Sequence, residues 1–160
     1  MENTNIISKS IHKVLIVEDE KAMAKAMEIK LQKAGITAHA VFSGDEGLVE
    51  LEKNDYSLVL LDIMMPVMDG IQACKEIRNT QDWASISIIF LTARADDEIQ
   101  IEALDQGGDD FIQKPVKIKV LLSRIKAIIR RKLNPLAIEA DQIINFENLI
   151  VSLEEQNVRF

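Results

Sequence analysis

Short runs of branched apolar residues alternate along this chain with longer stretches in which apolar residues recur every three or four positions. The apolar runs predict five β-strands, at residues 13–17, 37–42, 58–61, 86–91 and 110–113. This alternation is typical of βα units that wind a parallel sheet with helices on both of its faces. We therefore predict an α/β fold with a doubly wound parallel sheet.

The stretches between the predicted strands carry the signals of helices. An apolar stripe that ends at Gly35 predicts the first helix, because glycine commonly follows a helix end. Ser43 and Glu46 have the spacing of a capping box, which predicts the start of the second helix. We expect the third helix at residues 70–78 and the fourth at 96–106, where the apolar stripe is weakest and the helix least firmly held.

The balance of charge argues against nucleic acid or an anionic membrane as the partner of the whole chain. The 160 residues carry a net charge of −7, and the pI is about 4.9. The predicted fifth helix is the exception, because residues 116–134 contain seven basic side chains and no acidic one. Its apolar positions repeat from Ile118 to Ile129, so the basic side chains are expected on the solvated face.

Targeting signals are absent from the pattern of the sequence. The polar start has no apolar run behind a basic segment, and no stretch approaches membrane-spanning length. Cys74 is the only cysteine, which excludes an internal disulfide and fits a reducing compartment. We therefore expect a cytoplasmic protein with no membrane partner.

The two ends of the chain differ from its middle. We predict a disordered N-terminal extension at residues 1–11 and one folded domain at 12–133. Asn134 and Pro135 predict a linker, and two strand-like runs follow in the segment 134–160. Because two strands alone have little stability, we expect this segment to need a continuation or a partner, or to be disordered.

Polar and charged residues follow the carboxyl ends of four predicted strands. They are Glu18 and Asp19 after the first strand, Asp62 after the third, Thr92 after the fourth and Lys114 after the fifth. The carboxyl ends of parallel strands meet at one edge of the sheet, where ligands bind. Carboxylates crowded there repel each other unless a cation neutralises them, and oxygen ligands suit Mg²⁺. We therefore predict a magnesium site at this edge.

The same residues are suited to phosphoryl chemistry. With a divalent cation to neutralise charge, Asp62 can act as a nucleophile and form an acyl phosphate. Lys114 can hold the transferred group by charge, and the Thr92 hydroxyl can donate a hydrogen bond to another of its oxygens. Each signal is weak by itself, but their joint order along the strands is specific.

Four segments resemble the signature runs of CheY-like response regulator receiver domains. They read VLIVEDE at 14–20, LVLLDIMMPVMDG at 58–70, FLTA at 90–93 and GGDDFIQKP at 107–115. The resemblance, which covers about residues 13–132, implies a flavodoxin-like sheet with the strand order 2-1-3-4-5. It also implies a signalling phosphoacceptor, not an enzyme, whose Asp62 takes a phosphoryl group from the phosphohistidine of a sensor histidine kinase.

The resemblance assigns further residues. It implies that Asp19, Asp62 and the carbonyl of Met64 bind Mg²⁺ directly, with Glu18 acting through water. Glu18 and Asp19 form a Glu-Asp pair where Asp-Asp is commoner in the family. Phe111 matches the switch aromatic, whose ring is expected to fill the space that Thr92 vacates on phosphorylation.

Helices four and five with strand five resemble the dimer face of the OmpR/PhoB winged-helix transcription factors. Residues that match pairs across that two-fold interface are Asp109, Asp110, Arg124 and Arg131. A third pair falls at Gln100 and Val120, which cannot form an ion pair. The resemblance implies a homodimer when phosphorylated and, from the run at 146–159, the opening strands of a truncated winged-helix domain. DNA binding would occur only through that domain.

Three other classes of protein share parts of this pattern. A haloacid dehalogenase-type phosphatase is disfavoured for two reasons. It needs a second aspartate where this chain has Met64, and its nucleophile follows strand one, whereas Asp62 follows strand three. A flavodoxin-like mononucleotide carrier is rejected because Glu18 and Asp19 would repel phosphate. A stand-alone receiver that acts only by binding a protein partner stays open.

Overall fold

A computed structural model of the protein describes residues 13–94 and 96–133. The predictions for the N-terminal extension and for the segment 134–160 lie outside these residues.

Five strands and five helices alternate along the described chain. The strands are β1 (Val14–Val17), β2 (Ala38–Val41), β3 (Leu58–Asp62), β4 (Ser87–Thr92) and β5 (Asp110–Gln113). The helices are α1 (Lys21–Lys33), α2 (Gly44–Lys53), α3 (Gly70–Asn79), α4 (Asp97–Asp105) and α5 (Ile118–Leu133), and a short 3₁₀ helix spans Gln81–Trp83. None of the helices in the described ranges is both long and apolar enough to cross a membrane.

All strand pairs are parallel, and the order across the sheet is β2-β1-β3-β4-β5. The predicted strand order and fold class are therefore confirmed. The order reverses next to β1, so the loops after β1 and β3 open side by side at the carboxyl edge, where ligands bind in such sheets.

Each face of the sheet buries its own apolar core. Alternate residues of a strand point to opposite faces, so Leu60 packs with α1 and α5 side chains such as Leu31 and Leu121. On the other face, Val59 and Phe90 pack with side chains of α2, α3 and α4. Because both faces are covered, the central strands read as continuous apolar runs.

The capping box predicted at α2 is only half formed. The Ser43 hydroxyl accepts a hydrogen bond from the Glu46 amide at 3.1 Å, but the Glu46 carboxylate accepts from the Phe42 amide at 2.9 Å, not from that of Ser43. A complete capping box lies at α3, where Asp69 and Gln72 satisfy each other's amides. Asp69 therefore fixes the start of the helix that follows the loop after β3.

The fourth helix is held weakly, as its faint apolar stripe predicts. Ala103 is the one α4 residue that is fully buried, and the side chains of Ile101 and Leu104 are largely exposed. An element with so few buried contacts opens at a lower free energy than the core strands. We therefore expect α4 to be the helix that opens most readily.

The central position of β3 gives the first testable prediction. Leu60 is completely buried, so Leu60→Ala should lower the free energy of unfolding by about 2–5 kcal/mol through lost burial and the cavity left behind. Urea unfolding followed by circular dichroism would measure this. As a control, Val49→Ala on the exposed side of α2 should change it by less than about 0.5 kcal/mol. Equal losses for the two variants would contradict the assigned packing.

Candidate functional site

The sheet brings the predicted site residues to one edge. Glu18 directly follows β1, Asp62 ends β3, Thr92 ends β4 and Lys114 directly follows β5. Glu18 and Thr92 are completely buried and Asp62 is 2% exposed, whereas Asp19 is exposed. Three polar side chains therefore sit below the surface of the carboxyl edge, where an unpaired charge is costly.

One ammonium group connects the two buried carboxylates. Lys114 Nζ lies 2.6 Å from Glu18 Oε1 and 3.2 Å from Asp62 Oδ2. Both contacts are within hydrogen-bond range, and charge-assisted pairs of this kind are the strong ones. Lys114 thus occupies a position from which it can attract any further anion that reaches Asp62.

Burial and the neighbouring charges shift the pKa values of Glu18 and Lys114. Burial raises the pKa of the Glu18 carboxyl to about 8, and a hydrogen bond with Asp62 adds to the rise against the opposing pull of Lys114. Burial by itself lowers the pKa of the Lys114 ammonium, but Glu18 and Asp62 outweigh it and hold that pKa above its usual range. Glu18 is therefore largely protonated at neutral pH unless a further cation reaches the edge.

The arrangement fits a hard divalent cation. Glu18, Asp19 and Asp62 offer carboxylate oxygens that all lie within 4.8 Å of one another. Within the described ranges, Glu18 Oε2 is buried and has no hydrogen-bond partner. An oxygen-only donor set next to an orphaned carboxylate oxygen suits Mg²⁺, which commonly keeps waters as its other ligands.

The loop after β3 returns close beneath Asp62. A Cβ atom at Gly70 would lie 2.2 Å from the Asp62 carbonyl oxygen, so no larger residue fits without moving the backbone there. The amide of Gly70 donates to the Ile63 carbonyl at 2.9 Å, and the amide of Met64 donates to the Asp62 carboxylate at 3.2 Å. The loop thus fixes the position of Asp62, while the predicted metal contact of the Met64 carbonyl stays a prediction.

The two predicted switch residues lie on neighbouring strands. The Thr92 hydroxyl accepts a hydrogen bond from the Arg94 amide at 3.1 Å. Phe111 on β5 is half-buried and packs against the core that contains Phe90. The switch roles of Thr92 and Phe111 stay predictions.

The predicted dimer residues are partly engaged within the chain itself. Asp109 pairs with Arg78 at 2.9 Å and also accepts from the Ile88 amide at 2.8 Å. Asp110 lies 3.5 Å from Arg124, and Arg131 is exposed. A contact between two copies through these acids would therefore have to compete with existing pairs, and Asp109 is the more firmly held.

Sequence reasoning missed Arg78. Besides Asp109, its guanidinium donates to the carbonyls of Gly107, Ala84 and Ile86, at 2.9, 3.3 and 2.6 Å. It thereby ties α3 to the start of β4 and to the loop before β5. A basic residue in the last turn of a helix is common, so no signal in the sequence marked these partners.

The fold and the site together define a class of signalling protein. The family model described as the response regulator receiver domain matches residues 14–126, and the chain belongs to that family. It is 39% identical over 120 residues to a protein named response regulator ArlR from Staphylococcus saprophyticus, covering 75% of this chain and 53% of that protein. The chain therefore spans about half the length of the curated relatives it matches.

Solved structures of receiver domains also resemble this chain. The receiver domain of the Francisella response regulator 1452 is 34% identical, with a TM-score of 0.69, and the match covers 75% of this chain and 98% of that one. A CheY-like receiver domain protein from Methanospirillum hungatei is 26% identical, with a TM-score of 0.73, and the match covers 78% and 98%. Each match covers nearly all of the solved chain.

The raised pKa of Glu18 predicts a pH dependence without divalent cations. The folded state holds its proton up to about pH 8, whereas the unfolded carboxyl loses it near pH 4.5. Between these values the folded state binds more protons, so the free energy of unfolding should fall as the pH rises. In Glu18→Gln this contribution should vanish.

Urea unfolding in EDTA at several pH values between 5 and 8, about one unit apart, would measure the difference between wild type and Glu18→Gln. The difference should move steadily in favour of the variant as the pH rises. Glu52→Gln, which alters an exposed carboxylate, serves as the control and should follow wild type. A pH-independent difference for Glu18→Gln would show that Glu18 titrates normally.

Proposed function

We propose that this chain accepts a phosphoryl group on Asp62 from the phosphohistidine of a sensor histidine kinase. The observation that carries the proposal is the buried Asp62 carboxylate with the Lys114 ammonium 3.2 Å away, at the carboxyl edge of the sheet. A buried carboxylate held by a backbone amide and an ammonium is a positioned nucleophile.

In the proposed transfer, an Asp62 carboxylate oxygen attacks phosphorus and forms a P–O bond. The P–N bond to the donor imidazole breaks, and its electron pair stays on the imidazole nitrogen, which takes up a proton. The Lys114 ammonium, which pairs with Glu18 and Asp62, would then also pair with the incoming phosphoryl oxygens. The Thr92 hydroxyl donates to another of these oxygens.

Glu18, Asp19, Asp62 and the Met64 carbonyl would hold Mg²⁺, which supplies the positive charge that lets one anion approach another. The raised pKa of Glu18 supports this role, because a second cation would favour the ionised form of Glu18 beside Asp62 and Lys114. Asp19 is the exposed member and gives the cation a route in from solvent.

Phosphorylation would then change the face formed by α4, β5 and α5. When Thr92 turns toward the phosphoryl group, the half-buried ring of Phe111 can move into the space it leaves. Because α4 is weakly held, it is the element most able to follow. The exposed apolar side chains of Ile101, Leu104 and Val120 on this face would be covered by a second copy of the chain.

Transcriptional output belongs to the same proposal. The relatives are about twice as long as the match, so a DNA-binding domain would lie in a part that this chain does not fully contain. Control of a partner protein through the same face, without DNA, is the competing outcome.

Intact-mass spectrometry after incubation with acetyl phosphate tests the acceptor. Wild type with Mg²⁺ should gain the mass of one phosphoryl group, and Asp62→Asn should gain none. Asp45→Asn, at an exposed aspartate of α2, is the matched control and should react like wild type. Phosphorylation of Asp62→Asn at the wild-type rate, or a reaction that persists in EDTA, would overturn the proposal.

The dimer is tested by light scattering with Mg²⁺ and beryllofluoride, a phosphoryl mimic. The mass should double for wild type and stay unchanged for Asp62→Asn. Arg124→Glu, which reverses one partner of Asp110, should weaken the dimer by about tenfold, whereas Lys53→Glu on α2 should not. A monomer that demonstrably binds the mimic would favour the partner-binding alternative.

A further inference from the structure

The helices cover the two edges of the sheet to different extents. β2 and β5 are the edge strands, because each has a neighbouring strand on one side only. An edge strand presents unpaired amides and carbonyls to which another strand can add, and proteins commonly cover or interrupt such edges. What covers each edge therefore decides where copies of this chain can associate through the sheet.

In β2, the backbone groups of every second residue point away from the sheet. The Val14 amide donates to the Thr37 carbonyl at 2.8 Å, and the Glu18 amide donates to the Val41 carbonyl at 3.2 Å, so these carbonyls face β1. Backbone groups alternate in direction along a strand, and those of the residues in between face outward. The outward-facing residues at this edge are Ala38, Ala40 and Phe42.

Side chains of α1 and α2 bind one outward group on each of these three residues. The bonds join the Glu28 carboxylate to the Ala40 amide at 2.6 Å, the Gln32 side-chain amide to the Ala38 carbonyl at 3.1 Å, and the Glu46 carboxylate to the Phe42 amide at 2.9 Å. We call these three side chains the edge seal. A strand that added to β2 would have to displace all of them.

Glu28 is the most firmly placed member of the edge seal. Its side chain is only 14% exposed, and its other carboxylate oxygen lies 3.4 Å from the Lys25 ammonium. A hydrogen bond to a partly buried carboxylate is stronger than one between neutral groups. Glu28 does not belong to the carboxylate group at the carboxyl edge, so the phosphoacceptor chemistry does not account for it.

The strand itself carries no other protection. Its sequence is AHAV, without a lysine, an acidic residue or a proline. Those are the residues that commonly prevent strands from adding to an edge. Because β2 has no acidic or lysine side chain, a second copy of the same strand would meet no repulsion there from such residues.

The β5 edge has no comparable cover. The Lys114 amide donates to the Thr92 carbonyl, which places the outward backbone groups of β5 on Phe111 and Gln113. The Phe111 amide is bound at 2.8 Å by the Asp110 side chain of the same strand. Within the described ranges, no helix side chain hydrogen-bonds to an outward backbone group of β5. The uncovered edge therefore belongs to the face formed by α4, β5 and α5.

We propose that the edge seal closes a latent interface for a second copy of this chain at β2. Two copies related by a two-fold axis would bring their β2 edges together antiparallel, so that the edge is its own complement. With the seal in place, the outward groups are already bound, and association is left to the face at β5. This inference does not rest on the proposed phosphoryl transfer.

Removal of the seal should allow copies to associate. By light scattering in EDTA, the full chain with Glu28→Ala and Gln32→Ala should gain molar mass with concentration toward that of a dimer, whereas wild type should not. Glu52→Ala with Gln81→Ala, which removes an exposed glutamate and an exposed glutamine elsewhere, is the matched control and should behave like wild type. Glu28→Gln keeps an acceptor for the Ala40 amide and should also behave like wild type.

Hydrogen exchange followed by NMR locates the contact. In dilute Glu28→Ala, the Ala40 amide should exchange about tenfold faster than in wild type, because it has lost its acceptor. Its protection should return in the concentrated, associated double variant. The amides of His39 and Val41, which face β1, should stay protected throughout and show that the sheet is intact.

A double variant that keeps the wild-type mass at every concentration would overturn the inference. Adding Arg124→Glu, which weakens the proposed dimer at the other edge, should leave the new association unchanged. Loss of the association in that triple variant would assign the contact to the β5 face and would also overturn the inference.

A comparison within wild type decides the matter if the double variant does not fold. After correction for intrinsic exchange rates, the sealed Ala40 amide should be about tenfold better protected than the Gln113 amide at the uncovered edge. Equal protection of the two amides would mean that Glu28 does not seal β2, and the inference would fail.

Discussion

The functional edge of this protein depends on one ammonium group between two buried carboxylates. Glu18 and Lys114 lie 96 positions apart in the chain, and their contact exists only because β1, β3 and β5 are parallel and end at the same edge. Removing Lys114 would leave the buried Asp62 carboxylate without its counter-ion and would raise the cost of ionising Glu18 beside it. The pKa of Glu18 is raised to about 8 in spite of this ammonium, so its ionisation near neutral pH requires a further cation.

The grouping of these residues could be predicted because it follows from topology alone. Apolar runs define the strands, a doubly wound sheet collects their carboxyl ends, and Asp62, Thr92 and Lys114 then share an edge whatever their rotamers. The detailed pairing could not be predicted. That Lys114 contacts Glu18 more closely than Asp62 depends on side-chain geometry and desolvation, which sequence spacing does not specify.

The capping motifs illustrate the same limit at short range. Ser43 and Glu46 have the right spacing for a capping box, yet the Glu46 carboxylate bonds to the Phe42 amide, one residue before the cap. At α3 the less obvious pair Asp69 and Gln72 forms the complete motif. Both arrangements satisfy one more exposed amide at similar energy, so local spacing identifies the helix start but not which amide is bound.

The two ends of the sheet differ in how firmly they are held, and this difference supports a directional response. At the far end, Arg78 binds carbonyls before β4 and β5, and Lys132 binds those of Ser57 and Ser85. In α4, by contrast, Ala103 is the one fully buried residue, with Ile99 packed partly against the core. We therefore expect a displacement that begins at Thr92 to meet less resistance toward α4 than toward the starts of β4 and β5.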